Sequence, residues 1–324
     1  MRNNNCEVIP IIVEHESSLK SVNFYLFQKG KSLVLIDAGY NTDQCWNALV
    51  ETLQRRGLAV HDLTAILLTH HHIDHIGLVN RIIRLNPVPV YAHPLSIPRL
   101  KRDEAFLNMR IAFFSELYKE MGCGEQGEKQ ASYLRESMEK NRHNKINSEI
   151  TSIEENIMLD FEVIHVPGHA PDQVAFYDKD CKWLFAGDLL IEHISSNALV
   201  EPDESGRRMM TLKDNYQSIK KGSELHADLV FSGHGKIIDD PERVFRMRLQ
   251  GIERKGQRFL DLIAGGVPIA ADIAQTYYKD TYLKQFSLVM SEVIGHLDYL
   301  EYQGKIQKTL IDGIWHYSPV KDTN

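Results

Sequence analysis

Residues 67–78 read LLTHHHIDHIGL and crowd four histidines and one aspartate into positions 70–75. An apolar run of strand length, LTAILLTH, leads into the cluster, and a helical pattern, GLVNRIIRLN, leads out of it. A chain built this way must present polar groups where a buried strand stops. Layered α/β folds gather ligands at such places, because several strand ends converge on one point. The device recurs three times. VIHVPGHAPDQ puts His169 after a strand and a Pro-Gly turn, WLFAGD ends an apolar strand on Asp188, and LVFSGHG ends another on His234 between glycines. Four strand ends that stop on histidine or aspartate are hard to assign to chance. Neutral imidazoles and carboxylates together suit Zn²⁺ and its neighbours in the transition series.

The surrounding frame alternates strands and helices, which argues for an α/β layered domain. EVIPIIVE, VNFYLFQ and SLVLIDAG read as strands, and TDQCWNALVETLQRRG as a helix capped by Thr42 or Asp43 and stopped at Gly57. VPVYAH is a further strand. Residues 99–142 turn helical and charged, with CGEQG as the break between two inserted helices. The strands FEVIHVPG, QVAFYD and KWLFAGD follow, then a helix, LKDNYQSIKKGSEL, and the strand ADLVFSGHG. We expect a catalytic domain over 1–240. From 241 to 324 the chain reads as three helices and a hairpin around Asp312-Gly313, a small winged-helix-like module.

Bulk properties exclude some roles. A net charge of −7 disfavours sequence-blind nucleic-acid binding, which needs an excess of cations facing phosphates. The segment MRNNNCEVIPIIVEHE lacks the apolar core of a signal peptide, and no run is long enough for a membrane span. Cys6, Cys45, Cys123 and Cys181 are scattered and form no CxxC pair, so we expect reduced thiols, no cysteine metal site and a cytoplasmic protein.

The run THHHIDHIG resembles the T-H-x-H-x-D-H-x-G signature of the metallo-β-lactamase superfamily. GHAPDQ, FAGD and SGHG follow in that family's order, and the earlier LIDAG resembles its acidic strand end; together these span roughly residues 7 to 240. The resemblance implies a four-layer αββα sandwich and two divalent transition metals, zinc first, with manganese or iron as alternatives. By position, His70, His72 and His169 would hold one metal and Asp74, His75 and His234 the other, with Asp188 bridging. A hydroxide shared by the metals would be the nucleophile, and Asp74 would orient it and manage its proton. Asp37 would fix a ligand histidine; read alone, it could simply cap the turn before Gly39.

Two departures narrow the function. Gly77-Leu78 stands where the signature often has two glycines, and Asp188 stands where many zinc β-lactamases have cysteine. A small ester, thioester or lactone is therefore a better substrate than an antibiotic. RNA is the alternative, because the tail resembles that of a lactamase-like endoribonuclease branch. An iron persulfide dioxygenase and a DNA-binding regulator rank lower. Outside the set, His71 should point away from the site and His93 should serve local packing. His193 stays apart as a loop histidine, and the basic run Arg243, Arg246, Arg248, Arg254, Lys255 and Arg258 reads as a solvated helix face. FLNMRIAFFSELY should pack its apolar side chains onto the sheets. No membrane partner is expected, and the tail could join two chains as a homodimer.

Overall fold

The computed structural model describes residues 1–3, 6–153 and 157–320. Among these, seven strands form one sheet in strict chain order: β1 (Arg2–Asn3), β2 (Cys6–Glu14), β3 (Ser21–Lys29), β4 (Ser32–Ile36), β5 (Ala65–Leu67), β6 (Val90–Ala92) and β7 (Ile150–Ser152). β1 to β4 run antiparallel, and β4 to β7 parallel. The second sheet is also in chain order: β8 (Ile157–Met158), β9 (Phe161–His165), β10 (Val174–Asp178), β11 (Trp183–Gly187) and β12 (Leu229–Ser232). Its pairs are antiparallel except β11 with β12.

The central strands are apolar at nearly every position, and the layering explains why. Successive side chains of an extended chain point to opposite faces, so such strands are stable only with both faces covered. Tyr25, Phe27, Val34 and Ile36 turn inward against Phe176, Phe185 and Phe231 of the second sheet. Their neighbours Phe24, Leu26, Leu33 and Leu35 turn outward beneath the helices α1 (Asp43–Gln54), α2 (Ile73–Ile76) and α3 (Val79–Leu85). On the other side Ala175, Leu184, Ala186 and Val230 turn outward beneath α7 (Thr211–Ser223) and the first half of α8 (Pro241–Ala264). The expected αββα order is present.

The remaining helices form a second centre of packing. Apart from the short α4 (Ile97–Leu100), whose Leu100 packs in the layer outside the first sheet, they are α5 (Glu104–Glu120), α6 (Gly124–Lys140), α9 (Ala270–Tyr278), α10 (Asp280–Lys284) and α11 (Phe286–Tyr302). The hairpin β13 (Ile306–Ile311) with β14 (Ile314–Pro319) completes the group, and both its turn residues, Asp312 and Gly313, have positive φ. α11 is buried on most sides, so it needs neighbours all round. Here the structure corrects the expectation for FLNMRIAFFSELY. Phe114, Leu117 and Tyr118 of α5 pack against Phe286, Met290 and Phe259 of the C-terminal helices, not onto the sheets. The two inserted helices do break near CGEQG, but over Met121–Cys123, and α6 takes up the rest of that stretch from Gly124. The helix α8 joins the two centres, with Val244 and Phe245 under the second sheet and Phe259 and Ile263 among the C-terminal helices. Among the described residues, no helix is long and apolar enough to cross a membrane.

Candidate metal centre

All eight side chains singled out in the sequence meet at one end of the sandwich. Directly after β4 comes Asp37, which adopts a left-handed conformation (φ 58°) and is buried. Its Oδ1 accepts the Thr69 N–H at 2.8 Å, and its Oδ2 accepts the Thr69 hydroxyl and His75 Nδ1–H, each at 2.8 Å. Asp37 therefore does more than cap the turn before Gly39. Just past β5 come His70 and His72, and α2 carries Asp74 and His75. His169 follows β9, Asp188 follows β11 and His234 follows β12.

The second nitrogen of each histidine is instructive. A carbonyl oxygen only accepts, so His169 Nδ1–H must donate to Asn197 and His234 Nδ1–H to Ser21, both at 2.8 Å. The Thr69 hydroxyl spends its proton on Asp37, so its oxygen receives Nδ1–H of His70 at 3.1 Å. Each of these rings then turns a bare Nε2 lone pair toward the centre, the tautomer a metal ligand needs. Nε2 of His70 and Nε2 of His169 lie 2.9 and 3.0 Å from the same atom, Nδ1 of His72. That nitrogen can donate one proton at most, so at least one of the two close contacts has no hydrogen bond and leaves an imidazole lone pair unsatisfied. A cation between the rings satisfies it.

A second gathering adjoins the first. Asp188 lies 3.4 Å from His75 Nε2, 3.4 Å from His169 Nε2 and 3.3 Å from His234 Nε2. Asp74 lies 3.5 Å from His234 Nε2. His75 Nε2, His234 Nε2 and Asp188 Oδ1 are buried and have no hydrogen-bond partner. Donor atoms of His70, His72 and His169 lie within 4.8 Å of one another, and so do those of Asp74, His75 and His234. Electrostatics agree with the donor set. Burial, then neighbouring imidazoles, hold His70 and His72 well below the usual histidine range and therefore neutral. Burial opposes charge on His75 too, but Asp37, Asp188 and Asp74 together raise it well above that range. The protein atoms alone thus call for positive charge, and a divalent cation fits.

Two glycines let the backbone close around the site. A Cβ at Gly233 would sit 2.5 Å from Asp188 Oδ1, and one at Gly77 would sit 2.1 Å from the Asn41 nitrogen. The second glycine of the usual signature is not needed, because Leu78 is fully buried under the first sheet.

Other histidines behave as local groups. His71 turns away and pairs with buried Asp172 at 2.6 Å. Burial would raise the Asp172 carboxyl, but His71 and Arg99 outweigh it and hold it below the usual carboxylate range. His93 Nδ1 accepts the Leu95 N–H at 3.1 Å. His193 Nε2–H donates to the Ser18 carbonyl at 2.9 Å, so it steadies the β2–β3 loop. The basic run of α8 faces solvent at Arg243, Arg246, Arg254 and Arg258, as expected, and most of its members also make local contacts. Arg243 pairs with Glu192, Arg246 with Glu242 and Lys255 with Glu292, while Arg248 donates to the Ile191 carbonyl and Arg258 to the Tyr277 hydroxyl.

Above the histidines opens a cleft of about 370 Å³. Its walls include Leu19, Ile191, Ile194 and Leu199, with Gln285 and Leu288 from the start of α11. Sequence reading missed the last two. No motif marks them, and only the packing of α11 brings them here.

Known proteins share this architecture. Residues 18–234 match the sequence profile of the metallo-beta-lactamase superfamily. The "Probable metallo-hydrolase YqjP" of Bacillus subtilis (strain 168) is 30% identical over 300 residues, 91% of this chain and 92% of that protein. The crystal structure of metallo-beta-lactamase family protein TTHA1429 from Thermus thermophilus superposes with a TM-score of 0.78 at 25% identity, covering 97% of this chain and 98% of that one. More distantly, the "Atrochrysone carboxyl ACP thioesterase MYCFIDRAFT_190111" of Pseudocercospora fijiensis (strain CIRAD86) is 22% identical over 76% of this chain and 57% of its own. With the fold, the motif order and the relatives in agreement, this chain belongs to the metallo-beta-lactamase superfamily and is a metal-dependent hydrolase.

Proposed function

We propose that the enzyme holds two divalent cations, zinc first, and hydrolyses a small ester, thioester or lactone with an apolar acyl part. His70, His72 and His169 would hold one cation and Asp74, His75 and His234 the other, with Asp188 reaching both. Cations so held lower the pKa of water and polarise a substrate oxygen. Asp37 keeps His75 in its ligand tautomer, and the Asn197 and Ser21 carbonyls do the same for His169 and His234. Asp74, half-buried 3.5 Å from His234 Nε2, would orient the attacking water and carry its proton to the leaving group.

The observation that carries the substrate class is the lining of the cleft. It has no lysine or arginine, and its aliphatic walls suit an acyl chain. An RNA strand brings one negative charge per nucleotide and needs cations along its track. The nearest basic series, Arg243, Arg246, Arg248, Arg254, Lys255 and Arg258 on α8, contributes no residue to the cleft lining. One distant relative named as a thioesterase supports the same class. We read residues 241–324 as a winged-helix-like module whose part here is to close one wall of the cleft, through Gln285 and Leu288.

The test combines metal analysis with a substrate panel. The protein should bind one cation lost in His169→Ala and another lost in His234→Ala. It should cleave a short acyl thioester or a lactone, and Asp74→Asn should slow that cleavage by about a hundredfold or more, the usual weight of a positioned acid–base group. Cleavage of a short RNA with the thioester and lactone untouched would reverse the assignment. A single cation dependent on both histidines would reduce the centre to one metal.

A further inference from the structure

Sequence reading expected no cysteine metal site, because the four cysteines are scattered. The fold brings two of them together. Cys6 opens β2 in the first sheet, and Cys181 lies in the turn between β10 and β11 of the second, directly after Asp178 ends β10. Donor atoms of Cys6, Asp178 and Cys181 lie within 4.8 Å of one another, and all three residues are buried. None of the cysteines is disulfide-bonded. Asp178 Oδ1 accepts the Cys181 N–H at 2.8 Å, while its Oδ2 is buried with no hydrogen-bond partner. A buried carboxylate oxygen without a partner is costly, and beside two sulfurs it asks for a cation.

We propose that Cys6, Cys181 and Asp178 form a separate site for a thiophilic divalent cation of the zinc and cadmium type, which clamps the two sheets together. It lies far from the histidine centre. β2 reaches that centre at its other end, where Glu14 pairs with Ser21, and β10 reaches it through Val174, whose N–H meets the Thr69 carbonyl. The distances suit the cation. Metal–sulfur bonds of about 2.3 Å and metal–oxygen bonds of about 2.1 Å place tetrahedral donors roughly 3.5–3.8 Å apart, so small side-chain shifts would close the set. On binding, two thiol protons leave to solvent and two metal–sulfur bonds form, with no change of oxidation state. The thiolates and carboxylate then carry three negative charges against two on the cation. Lys29, paired in register with Cys6 and ion-paired with Asp160 and Asp180, adds positive charge at the same edge. Burial opposes charge on Lys29, yet Asp160, Asp178 and Asp180 raise it above the usual lysine range, so Asp178 lies within its field.

The histidine centre contains no cysteine, which makes the test specific. Cadmium added to the full-length protein as purified should produce a sulfur-to-cadmium charge-transfer band in the ultraviolet, saturating at one ion per chain, and should raise Tm. Cys6→Ser and Cys181→Ser should each abolish the band, and Asp178→Asn should keep it but weaken cadmium binding by about tenfold or more. No band in the wild-type protein would overturn the proposal, whatever the variants do. A band that survives Cys6→Ser would do so as well, by pointing to Cys45 or Cys123. Thiol titration that finds Cys6 and Cys181 joined in the untreated protein would replace the metal with a disulfide. None of these outcomes depends on which substrate the histidine centre accepts.

Discussion

Asp37 shows how much one residue can hold. Its left-handed backbone aims the carboxylate back at the strand end, where it ties the Thr69 backbone, the Thr69 hydroxyl and His75 into one unit. Asparagine tolerates the same backbone conformation, so Asp37→Asn removes charge with little strain. We expect metal affinity to fall by about tenfold to a hundredfold with the fold intact. Metal analysis after dialysis against a weak chelator, alongside thermal unfolding, measures both. Unchanged occupancy would leave Asp37 as a turn-former only. The candidate ligands themselves were legible in the sequence, because each sits in a short motif at a strand end. Asp172 was not: it lies inside the quoted GHAPDQ, but its partner His71 is a hundred positions away and shares no periodicity with it.

Among elements, the insertion is the part whose role sequence pattern described least well. Its helical character was plain, but its partners were not, since amphipathicity says that a face is buried and not against what. The structure ties it down with charge as well as apolar contact. Glu201, in the segment after β11, is buried and pairs with Arg99 of α4 at 3.0 Å and with Arg110 of α5. Burial alone would raise the Glu201 carboxyl, but Arg110 and then Arg99 outweigh it and hold it below the ordinary glutamate value of 4.5. A depressed folded-state value means stability that is full above 4.5 and is lost as pH falls through the folded value. Glu201→Gln should therefore destabilise the protein by about 3–5 kcal/mol at neutral pH, leaving two guanidinium groups without their carboxylate. The gap from wild type should narrow in denaturant titrations as pH falls below 4.5 and through the folded value. An equal gap at neutral and acid pH would mean that shape, and not charge, is what Glu201 contributes. β7 was missed for a different reason. Its three residues, ITS, have no alternation to read, and only β6 alongside makes them a strand.

For the molecule as a whole, α8 decides what can be separated. The boundary expected after residue 240 coincides with a helix start, where Asp240 accepts the Arg243 N–H and Pro241 begins the first turn. Yet Val244, Phe245 and Ile252 beyond it are buried in the layer outside the second sheet. Each such side chain is worth about 1.5–3 kcal/mol, and a domain has only about 5–15 kcal/mol in total. A chain ending at Asp240 should lose its cooperative thermal transition. Full retention of Tm in that truncation would show that the C-terminal elements stand apart.

Strict chain order within each sheet also bears on how the polypeptide is made. As it leaves the ribosome, every new strand finds its neighbour already in place, so the first sheet can zip up from its N-terminal edge. Its inner face, with Phe27 and Ile36, has no cover until the second sheet follows. The roughly eighty residues between β7 and the end of β12 take about 4–16 s to synthesise at 5–20 residues per second. Metal offers no early rescue, because His169 and Asp188 emerge within that interval and His234 only after it. For those seconds the nascent chain displays a broad greasy β-surface, the kind of patch that makes an unfinished chain stick to its neighbours.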